Sequence, residues 1–360
     1  MAHTIEQISR VTAGCRSYDR IGRKVEGKNE KKRRSYRFII KNDANSAYFT
    51  MAQPLLHALA EIVPHTHRLR AASLVPPLLA SSPRRKGEHG KLLIVGGSQE
   101  YSGAPFYSGH AALLTGADLV WVACAPAAAT PLKSLSPELI VLGVIPEDPV
   151  AAPAALAALS AVLPRVHCVV VGPGLGRAPG ALAFAAALLQ HALTARLPTV
   201  VDGDGLFLLS QRPELVRGHP ACILTPNSGE WERLRGVDLG PGIVVLRKGE
   251  EDEVLVTGAE GGAREGLPAR VRGGGCPRRC GGQGDVLAGA VGTFLAWGVA
   301  GAQGGGGGVP QESLVAAACG GAALLRAASS AAFEGKGRAM LTPDVLGALG
   351  GAFERVFGLH

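Results

Sequence analysis

The chain has 360 residues, of which 47% are hydrophobic, and a mean hydropathy of +0.19, as expected for a globular α/β protein with a large core. Its net charge of +8 comes from residues 1–42, which hold 12 Lys/Arg and 4 Asp/Glu, whereas residues 43–360 hold 25 of each. The main part of the chain therefore gives no reason to expect nucleic acid as a partner, and no apolar stretch is clean enough to predict a membrane span.

Residues 1–70 are predicted to form a poorly ordered basic extension, and residues 71–360 a single α/β domain. The extension lacks the apolar core of a secretory signal, and Met51 within it is an alternative start to Met1. The seven cysteines have no metal-ligand spacing, so we expect reduced thiols, with oxidation of Cys276 and Cys280 to a disulfide as the alternative. We expect a cytoplasmic protein, with mitochondrial or plastid targeting by the extension left open.

From residue 74 onward, short β-branched runs alternate with Ala/Leu-rich segments, which is typical of a parallel sheet flanked by helices. Strands are predicted at residues 91–95, 119–124, 167–171, 198–201, 221–224 and 243–246. Helices are predicted at residues 104–115, 153–163, 181–194, 230–234, 285–297, 311–329 and 343–357. The glycine run at residues 304–308 is interpreted as a flexible surface loop.

Loops rich in glycine, proline and polar residues follow most of these strands. In open α/β sheets, ligands bind beyond the carboxyl ends of the strands. Loops of this kind occupy residues 96–98, 172–176, 202–204, 225–227 and 248–249. Their convergence predicts a ligand site at this edge, although the spacing in residues 172–176 does not match the dinucleotide-binding fingerprint.

Asp285 stands where the glycine-rich run at residues 280–284 meets an apolar helix. Glycines let backbone N–H groups turn toward a ligand, and the start of a helix attracts anions. A carboxylate there would repel a phosphate unless it has a proton to remove. The arrangement indicates phosphoryl transfer with Asp285 as the base that deprotonates an attacking hydroxyl. The alternative is a glycine-rich loop with Asp285 as an ordinary helix cap.

Other charged residues near the predicted edge permit two interpretations each. Asp202 and Asp204 could bind a cation through water or cap the next helix, and capping is slightly favoured. Lys248 could pair with a phosphate or lie in a solvated turn, and the turn is favoured from the residues alone. Arg278 and Arg279 could neutralise a polyphosphate or point into solvent.

Several motifs occur together in one order, at residues 86–90, 95–105, 136–139, 171–177, 202–205, 224–234, 248–252 and 278–285. As a set they resemble the ATP-dependent NAD(P)H-hydrate dehydratases, in the eukaryotic form, over residues 76–357. The resemblance implies a ribokinase-like fold, a three-layer α/β/α arrangement with a mostly parallel central sheet.

The resemblance also implies the activity: ATP-dependent dehydration of the S-form of hydrated NADH or NADPH (NADHX or NADPHX) through a phosphorylated intermediate. ATP is then a co-substrate with Mg²⁺ between its phosphates, and an NAD(P)HX epimerase is the expected functional partner. Asp285 would be the catalytic base. Substrate would contact Asp285 together with Gly103, Gly174, Asn227, Ser228, Gly229, Glu230, Trp231, Glu232 and Arg233. ATP would contact Lys248, Gly249, Glu250, Glu251, Asp252, Cys276, Pro277, Arg278, Arg279, Cys280, Gly281, Gly282, Gln283 and Gly284.

One departure from the family pattern bears on activity. Family members usually have a longer, helix-carrying stretch before the strand that leads to Lys248, whereas only residues 235–242 intervene here. The span from residue 227 to residue 242 is near the minimum for a parallel crossover. Two alternatives to the dehydratase therefore stand: a sugar or vitamin kinase of the same fold, and a nucleotide-binding homologue without turnover.

Overall fold

The computed structural model describes residues 65–78, 85–258, 263–302 and 309–358. Within them, nine strands form one sheet: β1 (Lys91–Val95), β2 (Leu119–Cys124), β3 (Ile140–Gly143), β4 (Cys168–Val171), β5 (Thr199–Val201), β6 (Cys222–Leu224), β7 (Val244–Arg247), β8 (Asp252–Thr257) and β9 (Ala263–Val271).

The spatial order of the strands is β3-β2-β1-β4-β5-β6-β7-β8-β9. The seven strands from β3 to β7 are parallel, and β8 and β9 add an antiparallel edge. The order reverses between β1 and β4, so the loops after these strands diverge and leave a crevice at the carboxyl edge.

The strand register places the polar residues of the predicted site side by side. Val201 of β5 pairs with Leu224 of β6, so Asp202 and Thr225, which follow them, are neighbours. Leu224 also pairs with β7, and Lys248 is the first residue beyond the end of that strand. One edge of the sheet therefore holds the three side chains.

Ten α-helices surround the sheet in the described residues: α1 (His65–Leu74), α2 (Gly103–Thr115), α3 (Pro126–Leu135), α4 (Ala152–Ala157), α5 (Pro179–Ala195), α6 (Gly203–Gln211), α7 (Ser228–Leu234), α8 (Gln283–Ala302), α9 (Gln311–Lys336) and α10 (Thr342–Phe357). Successive strand residues point to opposite faces, as pleating requires. Leu92 and Ile94 pack in one core with α2, α8, α9 and α10, whereas Leu93 and Val95 pack in the other with α5 and α6. The protein is thus a three-layer α/β/α structure, which confirms the expected fold class.

One described helical segment, Gln311–Ala339, is long and apolar enough to cross a membrane by length and composition alone, which the sequence analysis did not anticipate. It consists of α9 and the 3₁₀ turn after it. Within its most apolar window, 72% of the residues are buried inside the protein, as in the core helix of a globular fold.

All six predicted strands are present, and the long C-terminal helices are confirmed. The helix predicted at residues 153–163 ends at Ala157, and turns lead from there to a 3₁₀ segment at Leu163–Arg165. Six of these helices and strands were not predicted: α1, α3, α6, β3, β8 and β9. The extension and the glycine run at residues 304–308 lie outside the described residues, except that α1 begins at His65.

The short connection between β6 and β7 still makes a parallel crossover. It contains the seven-residue helix α7, and Leu239 after the helix is 2% exposed. The missing length therefore leaves the register of β6 and β7 intact.

Candidate active site

The glycine-rich run leads directly into α8, whose first turn carries Asp285. The Cys280 backbone N–H donates to Gln283 Oε1 at 3.4 Å, and Gln283 Nε2 donates to Ser329 Oγ of α9 at 3.5 Å. A Cβ placed on Gly281 would meet no atom within 4 Å, so this side of the loop is open. The start of a helix offers N–H groups and a positive dipole end, so the open loop suits an anionic ligand.

Gly282 brings this loop against α2. Its φ of +99° lies in the left-handed region, and a Cβ there would lie 2.6 Å from Cδ2 of Tyr107. A Cβ on Gly103, at the start of α2, would lie 3.6 Å from the same ring. Only glycine allows both the backbone angle and the close approach at residue 282. Tyr107 therefore lies between the Asp285 loop and Gly103.

Gly174 lies against the same end of α2 from the other side. Its φ is +58°, and an added Cβ would lie 2.8 Å from Cβ of Tyr101 and 2.9 Å from Cβ of Ala104. The structure thus brings Gly103 and Gly174, two residues predicted to contact substrate, to the same end of α2 as the glycine run before Asp285, which was predicted to contact ATP.

Lys248 lies in a cluster of acidic side chains next to the start of α8. Its Nζ donates to Asp202 Oδ1 at 2.7 Å and lies 3.8 Å from Glu230 Oε2. Thr225 Oγ1 donates to the same Asp202 oxygen at 2.9 Å. A Cβ on Gly284 would lie 3.2 Å from Lys248 Nζ, so the ammonium lies beside the residue that precedes Asp285.

The charges in this cluster change the proton affinities of its members. Burial raises the pKa of Asp285 to about 7, Asp202 and Glu230 add to the increase, and Lys248 opposes it. Burial also raises the pKa of Glu230, again against the effect of Lys248. Burial alone would lower the pKa of Lys248, but Asp202 and Glu230 outweigh it and the pKa is raised. Lys248 is therefore a firmly charged ammonium, whereas Asp285 can gain or lose a proton near neutral pH.

The predicted substrate segment, residues 227–233, forms the start of α7, and only part of it faces the cluster. Asn227 caps α7: its side chain accepts from the Glu230 N–H at 2.9 Å, and Glu230 Oε2 accepts from the Asn227 N–H at 2.8 Å. Trp231 packs against the core, whereas Glu232 lies at the surface 3.7 Å from Arg235. Ser228, Gly229 and Arg233 are exposed. Glu230 is thus the member of this segment that reaches Lys248.

Of the predicted ATP-binding residues 248–252, the first four form the turn between β7 and β8, and Asp252 begins β8. Asp252 accepts from the Gly249 N–H at 3.0 Å and pairs with Arg326 at 3.2 Å, and burial raises its pKa. Glu251 points to Arg272, 3.0 Å away at the surface. Arg279 donates to the Gly249 carbonyl at 3.3 Å, which joins this turn to the loop before α8.

Arg326 of α9 connects the two loops, and the sequence analysis missed it. Besides Asp252, it donates to the Glu250 carbonyl at 2.6 Å and to the Gly273 carbonyl at 2.7 Å. The signal in the sequence is a lone arginine in the alanine-rich part of α9 with no acidic residue within one turn. Such an arginine needs a partner from elsewhere in the fold, because its charge cannot be buried alone.

Arg278 offers a donor to an anion. Its Nε is buried and has no hydrogen-bond partner among the described residues. Buried donors are normally paired, so an unpaired guanidinium N–H beside a glycine loop fits a ligand oxygen. Cys276 and Cys280 are free thiols, and Cys276 Sγ lies 2.9 Å from the Arg278 carbonyl.

Two interpretations from the sequence are wrong in their detail. Asp202 is the N-cap residue of α6, but its side chain makes no capping bond and binds Lys248 and Thr225 instead. Lys248 is 17% exposed and ion-paired, so it is not part of a solvated turn. Asp204, in the first turn of α6, accepts from the Gly176 N–H at 2.9 Å and pairs with Arg177 at 3.1 Å.

Comparison with known proteins identifies the family of the chain. The ATP-dependent (S)-NAD(P)H-hydrate dehydratase of Drosophila melanogaster is 37% identical over 312 residues, which is 83% of this chain and 97% of that protein. The human protein of the same name is 38% identical over 310 residues, or 79% and 83% of the two chains. The ADP/ATP-dependent NAD(P)H-hydrate dehydratase from Bacillus subtilis, co-crystallised with ATP/Mg²⁺, shares the fold with a TM-score of 0.58 and 19% identity over 82% of this chain and 99% of that one.

A sequence model of the family described as NAD(P)H-hydrate dehydratase matches residues 92–349, the region that contains the sheet and Asp285. The chain therefore belongs to the NAD(P)H-hydrate dehydratase family.

Proposed function

We propose that this protein uses ATP to dehydrate the S-form of hydrated NADH or NADPH back to the intact dinucleotide. The observation that carries the proposal is the position of Asp285. A carboxyl whose burial raises its pKa to about 7 stands in the first turn of α8, directly after the glycine run that packs against Tyr107 of α2 and that follows Arg278 in the chain. Relatives named for this reaction, 37% and 38% identical to the chain, support the assignment.

The reaction follows from the chemistry of the hydrate. Hydroxide is a poor leaving group, so the hydroxyl at C6 of the nicotinamide ring is first phosphorylated. Asp285 takes the hydroxyl proton while the oxygen attacks the terminal phosphorus of ATP, and ADP leaves. The ring nitrogen lone pair then expels phosphate, the C6–O bond breaks, and loss of a proton from C5 restores the double bond. A positioned base contributes about 10²–10⁴-fold to such a step.

The residues around the loop fit a nucleoside triphosphate. The unpaired Arg278 Nε would donate to a phosphate oxygen, and backbone N–H groups at residues 281–284, where Gly281 is open, would hold the transferred group. Arg279 and Arg326 would hold the two loops in place around it.

Mg²⁺ would enter with ATP, because magnesium in such sites is bound largely by substrate phosphates and water. Among the described residues there is no group of three or more His, Cys, Asp or Glu side chains arranged for a metal.

The direct test is ATP-dependent recovery of dihydronicotinamide absorbance from the purified hydrate. We expect recovery with wild type and a loss of about 10²–10⁴-fold in kcat with Asp285→Ala. Glu312→Ala, which changes an exposed carboxylate paired with Arg70, is the matched control and should recover absorbance as wild type does. Full turnover by Asp285→Ala would remove the proposed base. A stable phosphorylated product without dehydration would show a small-molecule kinase, and ATP binding without turnover would show a non-catalytic homologue.

We also infer that an epimerase supplies the S-form, because the curated relatives are named for that stereoisomer. A mixture of both forms should then be consumed only halfway unless an epimerase is added. A cytoplasmic location, or an organellar one directed by the extension, remains part of the proposal and is tested by fractionation of cells that express the full chain.

A further inference from the structure

Asp202 occupies a helix-capping position without capping the helix. It directly precedes α6, where an aspartate side chain normally accepts from the first N–H groups of the helix. Its Oδ1 accepts from Thr225 Oγ1 and Lys248 Nζ instead. Asp202 is 3% exposed, so its carboxylate is committed to the interior of the site. Asp202 thus binds Lys248 with the oxygen that would otherwise accept a capping hydrogen bond from α6.

Lys248 in turn is held where it acts on Asp285. It follows the end of β7, its Nζ lies between Asp202 and Glu230, and it lies beside Gly284, the residue before Asp285. Two carboxylates, Asp202 from the β5–α6 junction and Glu230 from α7, therefore share one ammonium, and the charge of Asp285 in α8 also acts on it. A lysine whose ammonium is taken up in this way is poorly placed to serve as a free phosphate ligand.

We propose that Asp202 is a positioning residue: it holds the Lys248 ammonium beside the start of α8, and the two charges together decide whether Asp285 is ionised. The proposal rests on the proposed function, in which Asp285 is the base. In this proposal Lys248 controls the ionisation of Asp285 and is not the contact of ATP that the sequence predicted.

The two partners act on Asp285 with opposite sign. Asp202 raises the pKa of Asp285 by repulsion, after the larger effect of burial, and Lys248 lowers it by attraction. The other charged group that acts on Asp285 is Glu230 of α7, which raises the pKa. Asp202→Asn removes a repelling charge and releases Lys248 toward Asp285, so the midpoint for ionisation of Asp285 should fall. Lys248→Met removes the attraction, so the midpoint should rise.

The experiment is a ¹³C NMR titration of the full-length protein labelled at aspartate carboxyl carbons, with Asp285→Asn used to assign the signal. We expect the Asp285 midpoint to fall by about one pH unit in Asp202→Asn and to rise by about one unit in Lys248→Met. Asp204→Asn is the matched control: it lies two residues along the chain but pairs with Arg177, so the midpoint should stay where it is in wild type. A midpoint unchanged in either folded variant, or shifts of the same sign, would overturn the proposal.

If one of the two variants fails to fold, the Asp285 midpoint measured in the other is enough to test the proposal. In Asp202→Asn, Lys248 keeps Glu230 as a partner, and in Lys248→Met the Asp202 carboxyl keeps the hydrogen bond from Thr225. The titration needs no turnover, so it remains readable if the dehydratase assignment fails.

A kinetic measurement separates this role from ATP binding. The acidic limb of the kcat profile should move with the NMR midpoint, whereas the KM for ATP should change less than about threefold in Lys248→Met. A higher KM for ATP with an unchanged pH profile would instead show that Lys248 binds the nucleotide.

Discussion

Replacing Asp285 with asparagine should lower kcat by about 10²–10⁴-fold and stabilise the protein at alkaline pH. Burial raises the pKa of Asp285 from 3.8 to about 7, so the folded state holds a proton that the unfolded chain has already lost. Below pH 3.8 Asp285 is protonated in both states and the folded protein keeps its full stability. That stability is then lost progressively as the pH rises from 3.8 to about 7. At 1.36 kcal/mol per pH unit, ionising this carboxyl in the folded state costs roughly 4 kcal/mol.

The amide of Asp285→Asn has nearly the same shape and no charge, so it escapes this cost. Between about pH 5 and about pH 8.5 the stability of the variant relative to wild type should increase by roughly 3 kcal/mol. In a domain of this size that corresponds to a rise in Tm of about 5 °C. The assay is urea or thermal unfolding of both proteins at the two pH values, with Asp204→Asn as control. A stability difference that does not change with pH would refute the account of Asp285 as a buried, titrating group.

Other consequences concern rate and stability. The kcat of wild type should rise with pH about a midpoint near 7, the pKa to which burial raises Asp285; a midpoint near 4 in the pH–rate profile would contradict this. Gly282→Ala should lower the free energy of unfolding by about 2–3 kcal/mol. An alanine there would have to keep a left-handed φ, and its Cβ would lie 2.6 Å from the Tyr107 ring. Gly281→Ala, whose Cβ would meet no atom within 4 Å, should stay within about 0.5 kcal/mol of wild type, and equal losses in the two variants would rule out the packing argument. Arg326→Met should lose about 3–5 kcal/mol, because it leaves the buried Asp252 carboxylate unpaired. Arg272→Met breaks an exposed pair with Glu251 and should lose less than about 1 kcal/mol; the reverse order would contradict the role of Arg326.

The fold could be predicted where sequence patterns depend on local physics. Strands buried on both faces appear as continuous apolar runs, and all six of the predicted strands belong to the parallel part of the sheet. The antiparallel edge was missed because β8 carries charged residues, Asp252 and Glu253, that also suit a surface turn. In the fold this segment pairs with β7 and β9, and Asp252 and Glu253 find partners in Arg326 and Arg247.

The candidate site shows the same division. The glycines and Asp285 could be found because a turn, a close approach and a helix start each have a local signature. The contacts of Asp202 could not be predicted. Its carboxylate could cap the next helix or bind a partner 46 residues away, and the sequence does not show that Lys248 lies close to it. Arg326 lies 74 residues from Asp252, so its role depends entirely on how α9 packs beside the β7–β8 turn.

The central claim is that Asp285 starts the attack of the substrate hydroxyl on ATP, so the most direct measurement follows the oxygen of that hydroxyl. Hydrate prepared with ¹⁸O at C6 should be turned over with ATP, and the released phosphate and water analysed by mass spectrometry. Phosphorylation before C–O cleavage predicts that the ¹⁸O appears in phosphate, with one ADP formed per dinucleotide restored. Recovery of the ¹⁸O in water would contradict the account.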